Sequence, residues 1–118
     1  AYRAALADVP GLSFQSIPAG ADSSWKDFVV AVDPGRCGID RDGLRARLAE
    51  RGIETRAYYA PAAHKMTAFR EFLRPGQRLP VTERLAATLV ALPMGVHVTP
   101  DVAREVAAEI RAAAARPE

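Results

Sequence analysis

The side chains able to do chemistry are few, and they gather around one stretch. His64 follows Pro61-Ala62-Ala63 in a segment that breaks a predicted strand, and Arg56, Tyr58 and Tyr59 stand just before it. Segments that leave a buried strand are common places for functional side chains. An imidazole there can donate to a hydroxyl, phosphate or carboxylate, or pass a proton near neutral pH. It could equally be a loop histidine that packs on a tyrosine, and the chemistry of the residues alone favours that plainer role. A metal site has little support. His64 and His97 lie far apart, Cys37 is the sole cysteine, and no pair has ligand spacing. Nothing favours a Cys-His nucleophile either. Gly35-Arg36-Cys37-Gly38 lacks both the spacing of a phosphate loop and the Lys-Ser/Thr that follows one.

The elements that must position these residues can be read from periodicity and punctuation. Residues 1–7 are helix-like and stop at Val9-Pro10-Gly11, because proline cannot continue a helix and glycine suits the turn. Residues 12–17 suit a short edge strand, and 18–24 form a loop of small and turn-forming residues. Phe28-Val29-Val30-Ala31-Val32 is the clearest strand, apolar on both faces and closed by Asp33-Pro34-Gly35. Such a strand belongs in a sheet covered, at least in part, on both sides. Asp40 then caps a helix, with Ile39 and Leu44 as a hydrophobic staple, Leu44 and Leu48 facing inward, and Gly52 as the stop. Arg41, Arg45, Arg47, Glu50 and Arg51 fall mostly on its solvated side.

Residues 53–59 alternate as a strand, with Ile53, Thr55, Ala57 and Tyr59 on one face and Glu54, Arg56 and Tyr58 on the other. A short helix is predicted over 65–73. Another opens at Pro80 and Thr82 and carries Leu85, Leu89 and Leu92 along its stripe, with a short strand near Leu92-Pro93-Met94-Gly95. Thr99 caps a last helix that has Pro100 at its first position and Val102, Val106 and Ile110 as its buried stripe, followed by a fraying alanine-rich tail. The fold class is therefore α/β (α+β): a small antiparallel sheet covered by helices, in a single domain over residues 1–118.

Composition sets outer bounds. A chain of 118 residues is one domain in size, and 49% hydrophobic with 25% charged residues is ordinary for a globular protein. Acidic and basic residues interleave and the net charge is +2, which argues against a nucleic-acid partner. No apolar run approaches the roughly 18 residues that a membrane span needs. One cysteine excludes an internal disulfide and favours a reducing compartment, the cytoplasm. The first residues read as the interior of a helix, from which a longer parent protein is expected.

An ordered set of segments spans nearly the whole chain: Ser23-Ser24-Trp25-Lys26-Asp27-Phe28, Gly38-Ile39-Asp40-Arg41-Asp42, Gly52-Ile53-Glu54-Thr55-Arg56, Tyr58-Tyr59-Ala60-Pro61-Ala62-Ala63-His64, Leu79-Pro80-Val81-Thr82-Glu83-Arg84-Leu85 and Leu92-Pro93-Met94. Together they resemble the C-terminal part of the DegT/DnrJ/StrS family of pyridoxal-phosphate (PLP) sugar aminotransferases. Two positions depart from the family pattern. Ala62 stands where a second proline is frequent, and Gly95 stands where a histidine or tyrosine commonly follows Leu-Pro-Met.

The resemblance implies a fold-type I enzyme whose large domain binds PLP and whose small C-terminal domain closes one side of the active-site cleft, usually in a homodimer. It implies transfer of an amino group, usually from glutamate, to a keto group of a nucleotide-linked sugar. It places His64 near the sugar, with Arg56, Tyr58 and Tyr59 as weaker candidates for lining the cleft. Neither Lys26 nor Lys65 matches the family's Schiff-base lysine, which lies in the large domain. The chain alone is thus expected to hold no PLP, to contain no catalytic residue and not to transaminate. Two other readings stand beside this one: a non-catalytic relative acting as sensor or regulator, and an unrelated small α/β interaction module. Origin from a larger protein also predicts an exposed apolar patch around the N-terminal helix or the 60–64 loop.

Overall fold

The structure is a computed structural model, and it describes residues 1–114. Strand β2 (Phe28–Val32) forms its centre because its β-branched, alternating residues bury Phe28, Val30 and Val32 on one face. On one side it pairs antiparallel with β1 (Leu12–Phe14), Leu12 opposite Val32 and Phe14 opposite Val30. On the other it pairs antiparallel with β3 (Leu89–Leu92), Phe28 opposite Leu92 and Ala31 opposite Leu89. The sheet order is β1-β2-β3.

Helices cover the inner face. Helix α1 (Tyr2–Leu6) contributes Tyr2 and Leu6, α3 (Arg41–Glu50) contributes Leu44 and Leu48, and α5 (Pro100–Ala114) contributes Val106 and Ile110. The outer face is partly covered. Val29 and Ala31 are half-buried there, beside Tyr58 and Leu85.

Capping fixes the helix ends where the sequence predicts. The Asp40 carboxylate accepts from the Gly43 N–H at 2.7 Å, and Thr99 Oγ1 accepts from the Val102 N–H at 3.3 Å. After α3 the chain passes through Gly52 at φ +73° while the Ile53 N–H donates to the Leu48 carbonyl at 2.9 Å. The stripe of α5 is wider than expected: Ala103 and Ala107 join Val106 and Ile110 in the core, and Val102 is half-buried. The predicted fraying tail falls in 115–118, outside the described residues.

Asp33, read as a strand terminator, also caps a one-turn helix α2 (Pro34–Cys37) by accepting from the Gly35 N–H at 3.0 Å. Gly11 packs directly on that turn at φ +78°. A Cβ there would lie 2.5 Å from the Cys37 nitrogen, so only glycine fits.

Four expectations are corrected. Residues 53–59 do not form a strand; they make one bridge to β3, with the Arg56 N–H donating to the Ala91 carbonyl at 3.1 Å and the Ala91 N–H to the Arg56 carbonyl at 2.7 Å. The ladder cannot extend because Pro93 has no N–H, while the Leu89 N–H is held by the Leu85 carbonyl and the Leu89 carbonyl by Arg41. Arg41 is not solvated. It is 8% exposed, and its Nη1 donates to the Ala86 carbonyl at 2.9 Å and the Leu89 carbonyl at 3.4 Å, where helix α4 (Pro80–Thr88) leaves carbonyls without helical partners. Leu89 and Leu92 lie in β3 rather than on a helical stripe, because α4 runs into the strand without a loop. The helix predicted over 65–73 is instead two 3-10 segments, Ala63–Lys65 and Thr67–Phe72.

Candidate substrate-facing site

The bridge to β3 fixes the backbone of Arg56, and a turn closed by the Ala60 N–H on the Ala57 carbonyl (3.0 Å) throws Tyr58 and Tyr59 outward. Their rings lie 5.2 Å apart, and Tyr59 is 64% exposed. Arg56 and Tyr58 line one open groove of about 470 Å³ together with Lys26, Asp27, Met94 and His97. Its charges are balanced, with Arg56 paired to Glu54 and Lys26 to Asp27 at 3.3 Å. The Asp27 carboxylate raises the Lys26 ammonium above its ordinary value, with a smaller contribution from Tyr59. Guanidinium, phenol and imidazole beside Met94 can hold a polar ligand with an apolar face. None of them is an activated nucleophile.

His97, considered at the sequence level only as a metal ligand, explains how the chain accommodates Gly95. The His97 ring occupies the space a residue-95 side chain would take, with Cε1 2.8 Å and Nδ1 3.0 Å from an ideal Cβ. Gly95 itself has φ +151°.

His64 is held apart from the groove. It sits in the Ala63–Lys65 turn with its side chain 10% exposed and its Nε2 3.5 Å from Glu83 Oε1. Glu83, 13% exposed in the first turns of α4, gathers several donors. Arg78 donates through Nε (3.3 Å) and Nη2 (2.9 Å), the Leu79 N–H reaches Oε1 at 3.3 Å, and Lys65 Nζ lies 3.4 Å from Oε2. Arg78 above all, then the Leu79 N–H and Lys65, hold this carboxyl at about 2. It reaches back to the N-cap N–H as a capping-box glutamate does, but from the fourth helical position and to Leu79 rather than a serine or threonine, so the sequence lacks the capping-box signal that would have flagged it. Arg78 carried no signal either.

Among the described residues, no three His, Cys, Asp or Glu side chains are grouped to hold a metal, and no helix is long and apolar enough to cross a membrane. Cys37 is buried, and burial pushes its thiol up.

The sequence profile of the DegT/DnrJ/EryC1/StrS aminotransferase family matches residues 1–111. The chain belongs to that family. Its membership removes the reading as an unrelated α/β module. A curated family relative, the erythromycin biosynthesis sensory transduction protein EryC1 of Saccharopolyspora erythraea, is 34% identical over 113 residues. That match takes in 96% of this chain and 29% of the relative.

Among solved structures, DesI in the presence of its TDP-sugar product is 36% identical with a TM-score of 0.86, over 98% of this chain and 29% of DesI. DesV of S. venezuelae in complex with a ketimine intermediate is 30% identical with a TM-score of 0.85, over 99% of this chain and 30% of DesV. A family aminotransferase from Brucella abortus is 30% identical with a TM-score of 0.79, over 98% of this chain and 29% of that structure. The chain thus spans less than a third of the length of these relatives, and its α+β fold is the one these aminotransferases contain.

Proposed function

We propose that this chain is the C-terminal small domain of a PLP-dependent aminotransferase that moves an amino group from glutamate to the keto carbon of a nucleotide-linked sugar. The observation that carries the proposal is the joint likeness in sequence and fold to DesI, a structure obtained with its TDP-sugar product. In this reading residues 1–118 form one domain that closes a wall of the cleft in a cytoplasmic homodimer. The partner within the same polypeptide is a large PLP-binding domain.

Arg56, Tyr58, Tyr59 and His64 are the side chains offered to the substrate. A guanidinium can fork onto phosphate or hydroxyl oxygens, tyrosine rings give an apolar face with a polar tip, and the imidazole accepts or donates a proton.

The residues of this chain do not fit PLP itself. The cofactor needs a lysine for its aldehyde and an acidic partner for its ring nitrogen, and serves as an electron sink when bound. Lys26 is 85% exposed and paired with Asp27, while Lys65 is paired with Glu83. Neither stands in an enclosed site with an acid free to face a pyridine ring. The chemistry of transfer is therefore assigned to the large domain, and this domain binds and orients.

The name of the EryC1 relative supports a second reading, a sensor built on the same scaffold. One assay separates the two. The whole protein that carries this chain is incubated with PLP, glutamate and a TDP-linked keto-sugar, and mass spectrometry follows the aminosugar and 2-oxoglutarate. The enzyme reading expects both products, and it expects His64→Asn to lower kcat/KM for the sugar about tenfold or more, the worth of one hydrogen bond to a charged group. Binding of the nucleotide-sugar without transfer would move the assignment to the sensor. Unchanged kcat and KM in His64→Asn would remove His64 from the site.

A further inference from the structure

We propose that Glu83 is the positioning residue of the His64 turn: its carboxylate anchors the turn through Lys65 and keeps the proton of the neutral His64 ring on Nε2. His64 Nε2 is a buried nitrogen with no hydrogen-bond partner, and the group it faces is Glu83 Oε1, at 3.5 Å. The carboxylate cannot turn away, because Arg78 spans both of its oxygens and the Leu79 N–H holds Oε1 at the head of α4. Lys65, the residue after His64, reaches the other oxygen at 3.4 Å, so the turn is tied on both sides of the ring edge.

With Arg78 and Lys65 against it the carboxylate stays ionised, and an ionised carboxylate only accepts. A neutral imidazole facing it must therefore present an N–H, since a bare nitrogen there would set two acceptors against each other. The nitrogen left as acceptor is Nδ1. Which ring nitrogen carries the proton is fixed in this way by a neighbouring group's hydrogen-bonding character. The consequence for substrate rests on the reading of His64 as substrate-facing; the tautomer does not.

Long-range proton–nitrogen correlation spectra of the whole protein, labelled with 15N-histidine, test the assignment, with His64→Asn identifying the signals of that ring. The expected wild-type pattern is the Nε2–H tautomer. In Glu83→Gln the amide oxygen takes the place of Oε2, keeping the two charged donors Arg78 Nη2 and Lys65, while the NH2 takes the place of Oε1 against Nε2, so the ring is expected to switch to Nδ1–H. Glu83→Asp, which keeps the charge, is expected to retain Nε2–H, and kcat is expected to fall more than KM rises in Glu83→Gln alone. An Nδ1–H ring in the wild type, or an unchanged tautomer in Glu83→Gln, would overturn the proposal. The wild-type spectrum decides even where the variant does not fold. A tautomer switch in a protein that transfers no amino group would sink the functional reading and leave Glu83's role intact; transfer with an unresponsive tautomer would do the reverse.

Discussion

Tyr2 illustrates how burial alone sets the behaviour of a single group. The residue is 5% exposed, stacks on Phe28 at 5.3 Å between ring centroids, and donates its hydroxyl to the Pro93 carbonyl at 3.0 Å. Burial pushes its phenol from 10.0 up to about 12. Because the folded value lies above the unfolded one, the associated stability is complete below pH 10 and drains away as pH rises toward 12. Denaturant melts on either side of pH 10 are expected to show a loss that Tyr2→Phe removes. That variant itself is expected to cost about 1 kcal/mol at neutral pH, for the lost hydrogen bond.

At the same scale, the candidate site was legible only where a side chain announced itself. His64 stands out because a proline-bounded segment exposes it to view. Glu83 does not, because its meaning comes from Arg78, Lys65 and His64 converging on it in space. Its acidity is a property of that meeting, and no local pattern encodes the meeting.

Arg41 shows where reading elements from a helical wheel goes astray. Charged residues at the start of a helix normally face water, yet this one crosses to the end of α4 and serves the Ala86 and Leu89 carbonyls. Arg41→Ala is expected to destabilise the fold by about 2–3 kcal/mol, because it strands buried acceptors. Arg104→Ala, which breaks an exposed pair with Asp101, is expected to stay within about 0.5 kcal/mol. Chemical denaturation of both variants checks the contrast.

Elements with their own period and their own caps, such as β2, α3 and α5, were legible. Residues 53–59 were not, because alternation shows only that a segment could pair, whereas pairing needs free donors and acceptors opposite it. Pro93 and the already engaged groups of Leu89 withhold them. The junction of α4 with β3 escaped for a related reason: Leu89 continues the helical spacing while its backbone joins the sheet.

For the molecule as a whole, the distribution of apolar surface bears on its expected place in a larger protein. Tyr2 and Leu6 turn inward, so the first helix offers no patch of its own. Most exposed aromatic and large aliphatic groups lie instead in and beyond the loop that carries His64, at Tyr58, Tyr59, Phe69, Phe72, Val81 and Leu85, with Ile17 and Val96 exposed elsewhere. The proposal that neither lysine of this chain holds the cofactor also concerns the whole molecule. Incubation with PLP, borohydride reduction and peptide mass spectrometry are expected to find no stoichiometric adduct at Lys26 or Lys65. One full equivalent on either would place the chemistry in this domain after all.

Helix α1 reaches its resting place by docking on α5, where the Arg111 guanidinium donates to the Ala5 carbonyl at 2.6 and 2.9 Å and pairs with Asp8 across 103 positions of sequence. The central strand likewise waits for β3, which lies in the last third of the chain. Contacts so distant in sequence cannot form until the later segment has been made, however fast the domain then folds. Within this stretch of chain the residues made first are therefore among the last to be buried, and until α5 is made Tyr2 and Leu6 lack the helix they pack against.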